Sequence, residues 1–321
     1  MDRLQIAVLD DYNGAARESA PWESLSSVAH VTFFADHVDD HLSLVTRLAP
    51  FDVVVLERER TPFRRALIEA LPRLRLIIAT GPVNWSVDLA AAAERGIPVG
   101  CTDARQDVTP ELCMGLIVGL ARRIVLEDRG IRAGRWQTGV GSSLAGARLG
   151  LVGLGQVGTK VATLATAFGM DVVAWSPNLS AERCALAGVR PVERHELLST
   201  SDFVSIHVVL SDRSRGSIDR AAFALMKPTA YLVNTSRGPI VDEAALIEAL
   251  RERRIAGAAL DVFDVEPMPA DHPLRSFDEV ILTPHIGYIT QDQCRLFYGQ
   301  VVDQIRSFAA GGPVRQLGTP P

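Results

Sequence analysis

The sequence predicts an α/β protein made of two doubly wound, parallel-sheet domains, the second inserted into the first. Three observations carry that expectation. Short apolar runs alternate with amphipathic stretches along the chain, the pattern of successive βαβ units. One such run turns directly into a glycine-spaced helix start at Gly153, Gly155 and Gly158. The chain of 321 residues is also long enough for two cores.

Composition narrows the class. Hydrophobic residues make up 47%, charged residues 22%, and the net charge is −5, values of a globular protein rather than a disordered or nucleic-acid-binding one. The arginines at 58, 60, 64, 65, 73 and 75 are interleaved with Glu57, Glu59 and Glu69 and read mostly as a solvated mixed-charge surface. Cys101, Cys113, Cys184 and Cys294 are scattered without a C-x-x-C pair. They suggest neither a metal site nor a disulfide framework and fit a reducing cytoplasm. The chain opens at Met1-Asp2-Arg3-Leu4 straight into a strand pattern, without a basic start or a signal-length apolar run, so a secretory leader is not expected. The apolar run Cys113 to Ala121 is far shorter than the roughly 20 residues that a membrane span requires.

In chain order, strands are expected at Leu4 to Leu9, Val31 to Ala35, Val53 to Leu56 and Leu76 to Ala79. A helix from Val87 to Arg95 stops at Gly96, and a short strand follows at Ile97-Pro98-Val99. A single long helix runs from Asp107 to about Arg129, followed by a glycine-rich arm to Ala147. The second sheet begins with the run ending at Val152 and continues through Asp171 to Trp175, Phe203 to His207, Ala230 to Asn234, Ala256 to Val262 and Val280 to Leu282, six strands in all. A final helix, Thr290 to Ala309, is assigned to packing on the first domain, and the tail from Gly311 to Pro321 is read as loosely held.

The glycine-spaced turn has a specific physical reading. Gly153 lets the strand end tightly, Gly155 lets a pyrophosphate approach the backbone, and Gly158 lets the helix pack against its strand. The amides of Gln156, Val157 and Gly158 open that helix and point at the anion. This is the cradle of a Rossmann-like dinucleotide-binding domain. An acidic residue about 20 positions on would hold the 2′-hydroxyl of NAD, but the next strand ends Trp175-Ser176-Pro177-Asn178. Ser176 could bond a free hydroxyl or tolerate a phosphate, so NAD and NADP both stay open.

Three later strand ends carry polar residues: Asn234-Thr235-Ser236-Arg237-Gly238-Pro239, Leu260 to Pro267, and Thr283-Pro284-His285-Ile286-Gly287. In this combination the chain resembles the D-isomer-specific 2-hydroxyacid dehydrogenase family from about Leu149 to Gly287. The resemblance implies an oxidoreductase that transfers a hydride between NAD(P)H and a small 2-oxo acid to give a D-2-hydroxy acid, with Arg237, Glu266 and His285 as its catalytic set. The chemistry agrees. Carbonyl reduction needs a proton donor active near neutral pH, which His285 can be. Glu266 beside it favours the imidazolium and fixes the tautomer, while Arg237 offers a forked donor for the substrate carboxylate. The resemblance further assigns Asp261, Thr235 and Ser236 to the nicotinamide end of the cofactor and His207 to the cofactor site without a chemical role.

In the first lobe the resemblance implies carboxylate binding by the loop Thr80-Gly81-Pro82-Val83-Asn84. Pro82 has no N–H to give, which leaves Gly81, Val83 and Arg58 as the substrate-binding residues there. Glu59 stands where the family's turn has a small residue. The implied organisation is a discontinuous substrate-binding domain, residues 1–103 plus 288–321, and a dinucleotide-binding domain, residues 104–287. The resemblance also implies a homodimer joined through the cofactor domain, with no metal, nucleic-acid or membrane partner. The competing class is an NAD(P)-sensing binding protein or corepressor of the same fold.

Overall fold

The computed structural model describes residues 3–318. Expectations that fall on residues 1, 2 and 319–321 lie outside the described residues. The chain divides into two compact units, one running up to Arg105 and resuming at Ile289, the other Gln106–Tyr288. The second interrupts the first, as the α/β reading of two parallel sheets expects.

The interrupted unit contains five parallel strands, β1 Leu4–Val8, β2 Ala29–Phe33, β3 Val53–Leu56, β4 Leu76–Ala79 and β5 Val99–Cys101, in the order β2-β1-β3-β4-β5. Every residue of β3 and β4 is buried. That explains why these runs are apolar without alternation, since helices cover both faces of such a sheet. β5 lies two residues later than the expected strand, because Ile97 and Pro98 only lead into it. The helix Gln291–Ala309 buries Phe297, Tyr298, Val301, Val302 and Ile305 within this unit, and the Tyr298 ring lies 6.2 Å from that of Trp22. The tail after this helix departs from the loose reading. Arg315 accepts the Cys101 N–H at 2.9 Å, and Leu317 donates to Val99 at 2.7 Å and is buried. The β5 edge thus gains partners that local composition did not announce.

The inserted unit contains seven parallel strands rather than six: β6 Arg148–Val152, β7 Asp171–Trp175, β8 Arg190–Pro191, β9 Phe203–Ile206, β10 Tyr231–Asn234, β11 Gly257–Leu260 and β12 Val280–Leu282. They lie in the order β12-β11-β10-β9-β6-β7-β8. The missed strand, β8, has two residues at the sheet edge. It is too short for any periodicity to show, and an edge tolerates its proline. β6 sits between β7 and β9, so the chain reverses its direction of travel there. The loops after β6 and β9 form the switch point where α/β sheets bind ligands.

The expected single helix from Asp107 is two, Val108–Ala121 and Ile124–Arg132, divided at Arg122 and Arg123, the latter at φ 55°. No glycine or proline marks the break, which is why it is invisible locally. The first helix buries Cys113, Met114, Leu116, Ile117 and Leu120 within this unit, and the N–H of Ser142 returns to close its end at the Ala121 carbonyl, 2.7 Å away. The charge run 57–75 also departs from the solvated reading, because Glu57 and the side chain of Arg60 are buried together. Among the described residues no helix is long and apolar enough to cross a membrane.

One glycine sets the spacing of the β11–β12 edge. A Cβ built on Gly257 would overlap the Glu279 carbonyl just before β12. We expect Gly257→Ala to destabilise the protein by about 1–3 kcal/mol, measured by urea unfolding; an unchanged midpoint would show that the edge can shift without cost.

Candidate active site

The functional side chains of the inserted unit converge on the carboxyl ends of its strands. At the end of β6, Gly153 adopts φ 103°, and a Cβ there would lie 2.7 Å from the His207 carbonyl oxygen. A Cβ on Gly158 would overlap the Gly153 carbonyl, so helix Gln156–Ala167 can pack this closely only with glycine at that position. Gly155 differs: nothing lies within 4 Å of a Cβ built on it. The first intrahelical bond is Thr159 N–H to the Gly155 carbonyl at 2.9 Å, so the amides of Gln156, Val157 and Gly158 precede the helical ladder. Two glycines are thus crowded by protein and the third faces open space, the arrangement a pyrophosphate needs beside a helix start. The residues present fit a dinucleotide.

Ser176, half-buried, follows β7, with no carboxylate in its place. His207 follows β9 and anchors it through its N–H to the Val152 carbonyl, 2.8 Å. Its Nε2 lies 2.9 Å from the Ser205 hydroxyl, which in turn lies 3.3 Å from the Cys113 thiol. Burial pushes the His207 pKa down to about 4, so the ring is neutral at physiological pH. Burial likewise pushes the Cys113 thiol up to about 11, leaving an uncharged polar row inside the sheet.

The loop after β10 is folded by Asn234, whose amide donates to the Arg237 carbonyl at 2.9 Å and whose oxygen accepts the Ser236 N–H at 3.0 Å. The Ser236 hydroxyl donates to the Val208 carbonyl at 2.6 Å, and Thr235 is buried beneath it. Gly238 then allows a contact that no other residue would: a Cβ there would overlap the Phe263 carbonyl. The loops after β10 and β11 are thereby pressed together, and the charge of Arg237 reaches Glu266.

Asp261, at the end of β11, is fully buried. Its Oδ1 accepts from the Thr283 hydroxyl at 2.6 Å and the Ile286 N–H at 2.9 Å, and its Oδ2 accepts from the Gly287 N–H at 2.8 Å. Burial pushes this carboxyl up in pKa against those three bonds and the nearby His285. The structure therefore gives Asp261 a role that the motif reading did not contain. It ties down the His285 loop, and only part of its acceptor capacity remains for a ligand.

His285 sits in that loop at φ 53°, a conformation unusual for a non-glycine residue and sustained by the bonds around it. Its Nδ1 lies 2.6 Å from Glu266 Oε2, while Glu266 Oε1 accepts the Phe263 N–H at 2.9 Å. Although burial opposes it, the His285 hydrogen bond and charge, the Phe263 amide and the Arg237 charge hold the Glu266 carboxyl below the ordinary carboxylate range. The Nε2 of His285 has no protein partner among the described residues, and Tyr288 stands edge-on to the ring at 5.6 Å. Glu266 and His285 thus meet, within reach of the charge of Arg237, although dozens of residues of chain separate the arginine from the histidine.

In the other unit, Arg58 adopts φ 55°. Its Nη1 donates to the Thr80 carbonyl at 3.3 Å, and the guanidinium lies directly on Gly81. The Gly81 N–H, expected as a carboxylate donor, is already given to the Thr102 hydroxyl at 2.7 Å. The Val83 N–H has no partner among the described residues. Sequence reading missed Gly238, the Asp261 clamp and the row from Cys113 to His207. Gly238 alone left a trace, as a glycine directly after the arginine it places.

Two doubly wound sheets, one with both a glycine cradle and a His–Glu pair after its strands, define an α/β protein of the dinucleotide-binding class. The sequence model of the D-isomer specific 2-hydroxyacid dehydrogenase, NAD binding domain, matches residues 114–287, and the chain belongs to that family. It is 38% identical over 272 residues to a D-3-phosphoglycerate dehydrogenase of Methanocaldococcus jannaschii, an alignment covering 84% of this chain and 52% of the relative. It is 37% identical to a glyoxylate reductase of Aeropyrum pernix, covering 76% of each. The chain thus spans about half the length of the phosphoglycerate dehydrogenases it matches. Among solved structures, a phosphoglycerate oxidoreductase from Vibrio cholerae O395 superposes with a TM-score of 0.90 at 32% identity, covering 96% of this chain and 100% of that one.

The neutral His207 ring carries a pH signature. Its folded pKa of about 4 lies below the ordinary histidine value of about 6.5, so the unfolded chain takes the proton first. The stability its neutral ring contributes is complete above about pH 6.5 and drains away as pH falls toward 4. Urea unfolding between pH 7 and 5 should therefore cost the wild type about 1–2 kcal/mol more than His207→Gln. Parallel acid limbs in the two proteins would contradict the neutral assignment.

Proposed function

We propose that this protein is an NAD(P)H-dependent reductase that converts a small 2-oxo acid to the D-2-hydroxy acid. The observation that carries the proposal is the 2.6 Å contact between His285 Nδ1 and Glu266. It orients the ring and leaves Nε2 as the outward nitrogen, in the same unit as a cradle that fits a dinucleotide. Bound NAD(P)H would supply the hydride to the carbonyl carbon. His285 gives the proton to the carbonyl oxygen from Nε2, so that one hydride and one proton account for the alcohol formed. Glu266 holds Nδ1 and with it the tautomer. Arg237 provides the charged, forked donor for the substrate carboxylate and the polarised carbonyl, and Gly238 and Asn234 keep it at that station.

In this reading the glycine loop and the amides of Gln156 and Val157 hold the pyrophosphate. Ser176 meets the ribose, His207 lines the site, and Thr235, Ser236 and the spare acceptor capacity of Asp261 serve the nicotinamide amide. The interrupted unit, with Arg58, Gly81 and Val83, is the substrate-binding domain. Since the Gly81 N–H is internally used, we give the carboxylate to Val83 N–H and the Arg58 guanidinium, with Gly81 providing the space under that side chain. We further propose a homodimer joined through the cofactor-binding unit, supported by the exposed apolar side chains of Ile131, Trp136 and Val140 along the arm. A cytoplasmic location is supported by four unbridged cysteines.

Nicotinamide absorbance with a panel of 2-oxo acids tests the activity. His285→Ala is expected to lower kcat by about 10²–10⁴ with cofactor affinity nearly unchanged; unaltered turnover would remove His285 from the acid role. Ser176→Asp is expected to move the NADH/NADPH preference toward NADH by repelling a 2′-phosphate. A constant ratio would show that the end of β7 does not read the ribose.

A further inference from the structure

A row of polar groups runs from helix Val108–Ala121 through β9 to the ring of His207, and none of its members takes part in the proton transfer described above. Cys113 and Ser205 are both fully buried. The Ser205 Oγ lies 3.3 Å from the Cys113 Sγ and 2.9 Å from the His207 Nε2. The buried Thr235 hydroxyl faces the same thiol without completing a hydrogen bond, which leaves Ser205 as the thiol's partner.

The hydrogens in this row can be counted. A hydroxyl gives one hydrogen, a thiol gives one weakly and accepts poorly, and a neutral imidazole has one N–H and one bare nitrogen. The His207 ring is neutral at physiological pH, and its bare nitrogen is the best acceptor in the row. The Ser205 hydroxyl therefore donates to Nε2 and accepts the Cys113 S–H. The opposite order would spend the Ser205 hydrogen on sulfur, the poorer acceptor at the longer distance. With Nε2 accepting, the ring's one hydrogen sits on Nδ1.

Nδ1 has no partner among the described residues, although the ring is half-buried. It belongs to the switch point of the sheet. The His207 Cβ lies 3.4 Å from the position of the Cβ that Gly158 lacks, and the His207 carbonyl lies against Gly153. The main chain there is fixed, with the His207 N–H on the Val152 carbonyl and the Val208 carbonyl accepting the Ser236 hydroxyl. A half-buried donor beside a cradle for an anionic ligand suits the oxygens of a ribose or a phosphate.

We infer that Ser205 is a positioning residue that, backed by Cys113, holds His207 as the Nδ1–H tautomer and so presents a fixed N–H donor to an oxygen of the bound dinucleotide. This rests on the function proposed above and adds to it how the cofactor site is set before the cofactor arrives.

Nitrogen NMR spectra of the intact protein with isotope-labelled histidine read the tautomer at neutral pH without turnover, His207 being assigned by its loss in His207→Gln. Nδ1 is expected to carry the hydrogen in the free protein, and its resonance is expected to move when NADH or NADPH is added. Ser205→Ala is expected to leave a mixture of tautomers and to weaken nucleotide binding by about tenfold, measured by fluorescence titration. Ser205→Thr keeps a hydroxyl on the strand and is expected to retain both the tautomer and the affinity. Protonation at Nε2 in the wild type overturns the inference, whether or not the variants fold. Mixed tautomers in Ser205→Ala with unchanged nucleotide affinity overturn the donor role of His207, as does nucleotide binding that leaves the wild-type His207 resonances unmoved. Absence of binding by both nucleotides overturns the proposed function itself.

Discussion

One fully buried carboxylate governs the geometry at the carboxyl end of the larger sheet. Asp261 accepts three hydrogen bonds from the segment 283–287, and a buried charge left short of partners would cost several kcal/mol. The segment has no regular structure, and besides the His285 N–H to the Thr283 carbonyl at 3.0 Å it is those bonds that hold His285 at a positive φ. With them, the ring is delivered to Glu266. Glu266 is itself fixed from the other side by the Phe263 amide, so the pair is braced from two strand ends.

Close backbone contacts do the corresponding work where no side chain could fit. Gly238 presses the loop after β10 onto the Phe263 carbonyl, and Gly158 presses a helix onto the Gly153 carbonyl. In each case the absent Cβ brings a charged or polar group to its place: Arg237 toward Glu266, and three amides toward the open side of Gly155. Behind them lies an uncharged row, Cys113, Ser205 and His207, kept neutral by burial. Neutral groups suit a position beneath a site whose charges are meant to face the ligand, since a buried ion there would compete with them.

The smaller sheet treats its charges in the opposite way. At its switch point, between β1 and β3, Asp10, Glu57 and Arg60 are turned inward and satisfied by each other, by Thr61 and by His37. The loops that remain outward carry a mixed pair, Arg58 and Glu59, each pinned by a main-chain group of the neighbouring loop. Their positions follow from backbone bonds to fixed strands, so the loops present a preset pattern of charge and not an adaptable one.

Much of this was legible before folding. Apolar runs such as Val53 to Leu56 could only be buried strands, and the glycine spacing at 153–158 could only serve a tight turn into a helix, because both depend on local sterics and on which residues avoid water. The order of Arg237, Glu266 and His285 at successive strand ends was equally local. The break at Arg123, the two-residue strand β8 and the docking of Leu317 carried no such signature, since neighbours distant in sequence impose them. Sequence by itself determined the elements, their alternation and the residues able to do chemistry. Tertiary structure alone decided that the Asp261 carboxylate turns to the histidine loop, that Arg60 points inward and that the Gly81 amide is already engaged. A polar group's partner is set by what desolvates it and what comes within about 3 Å of it, and no local pattern contains that.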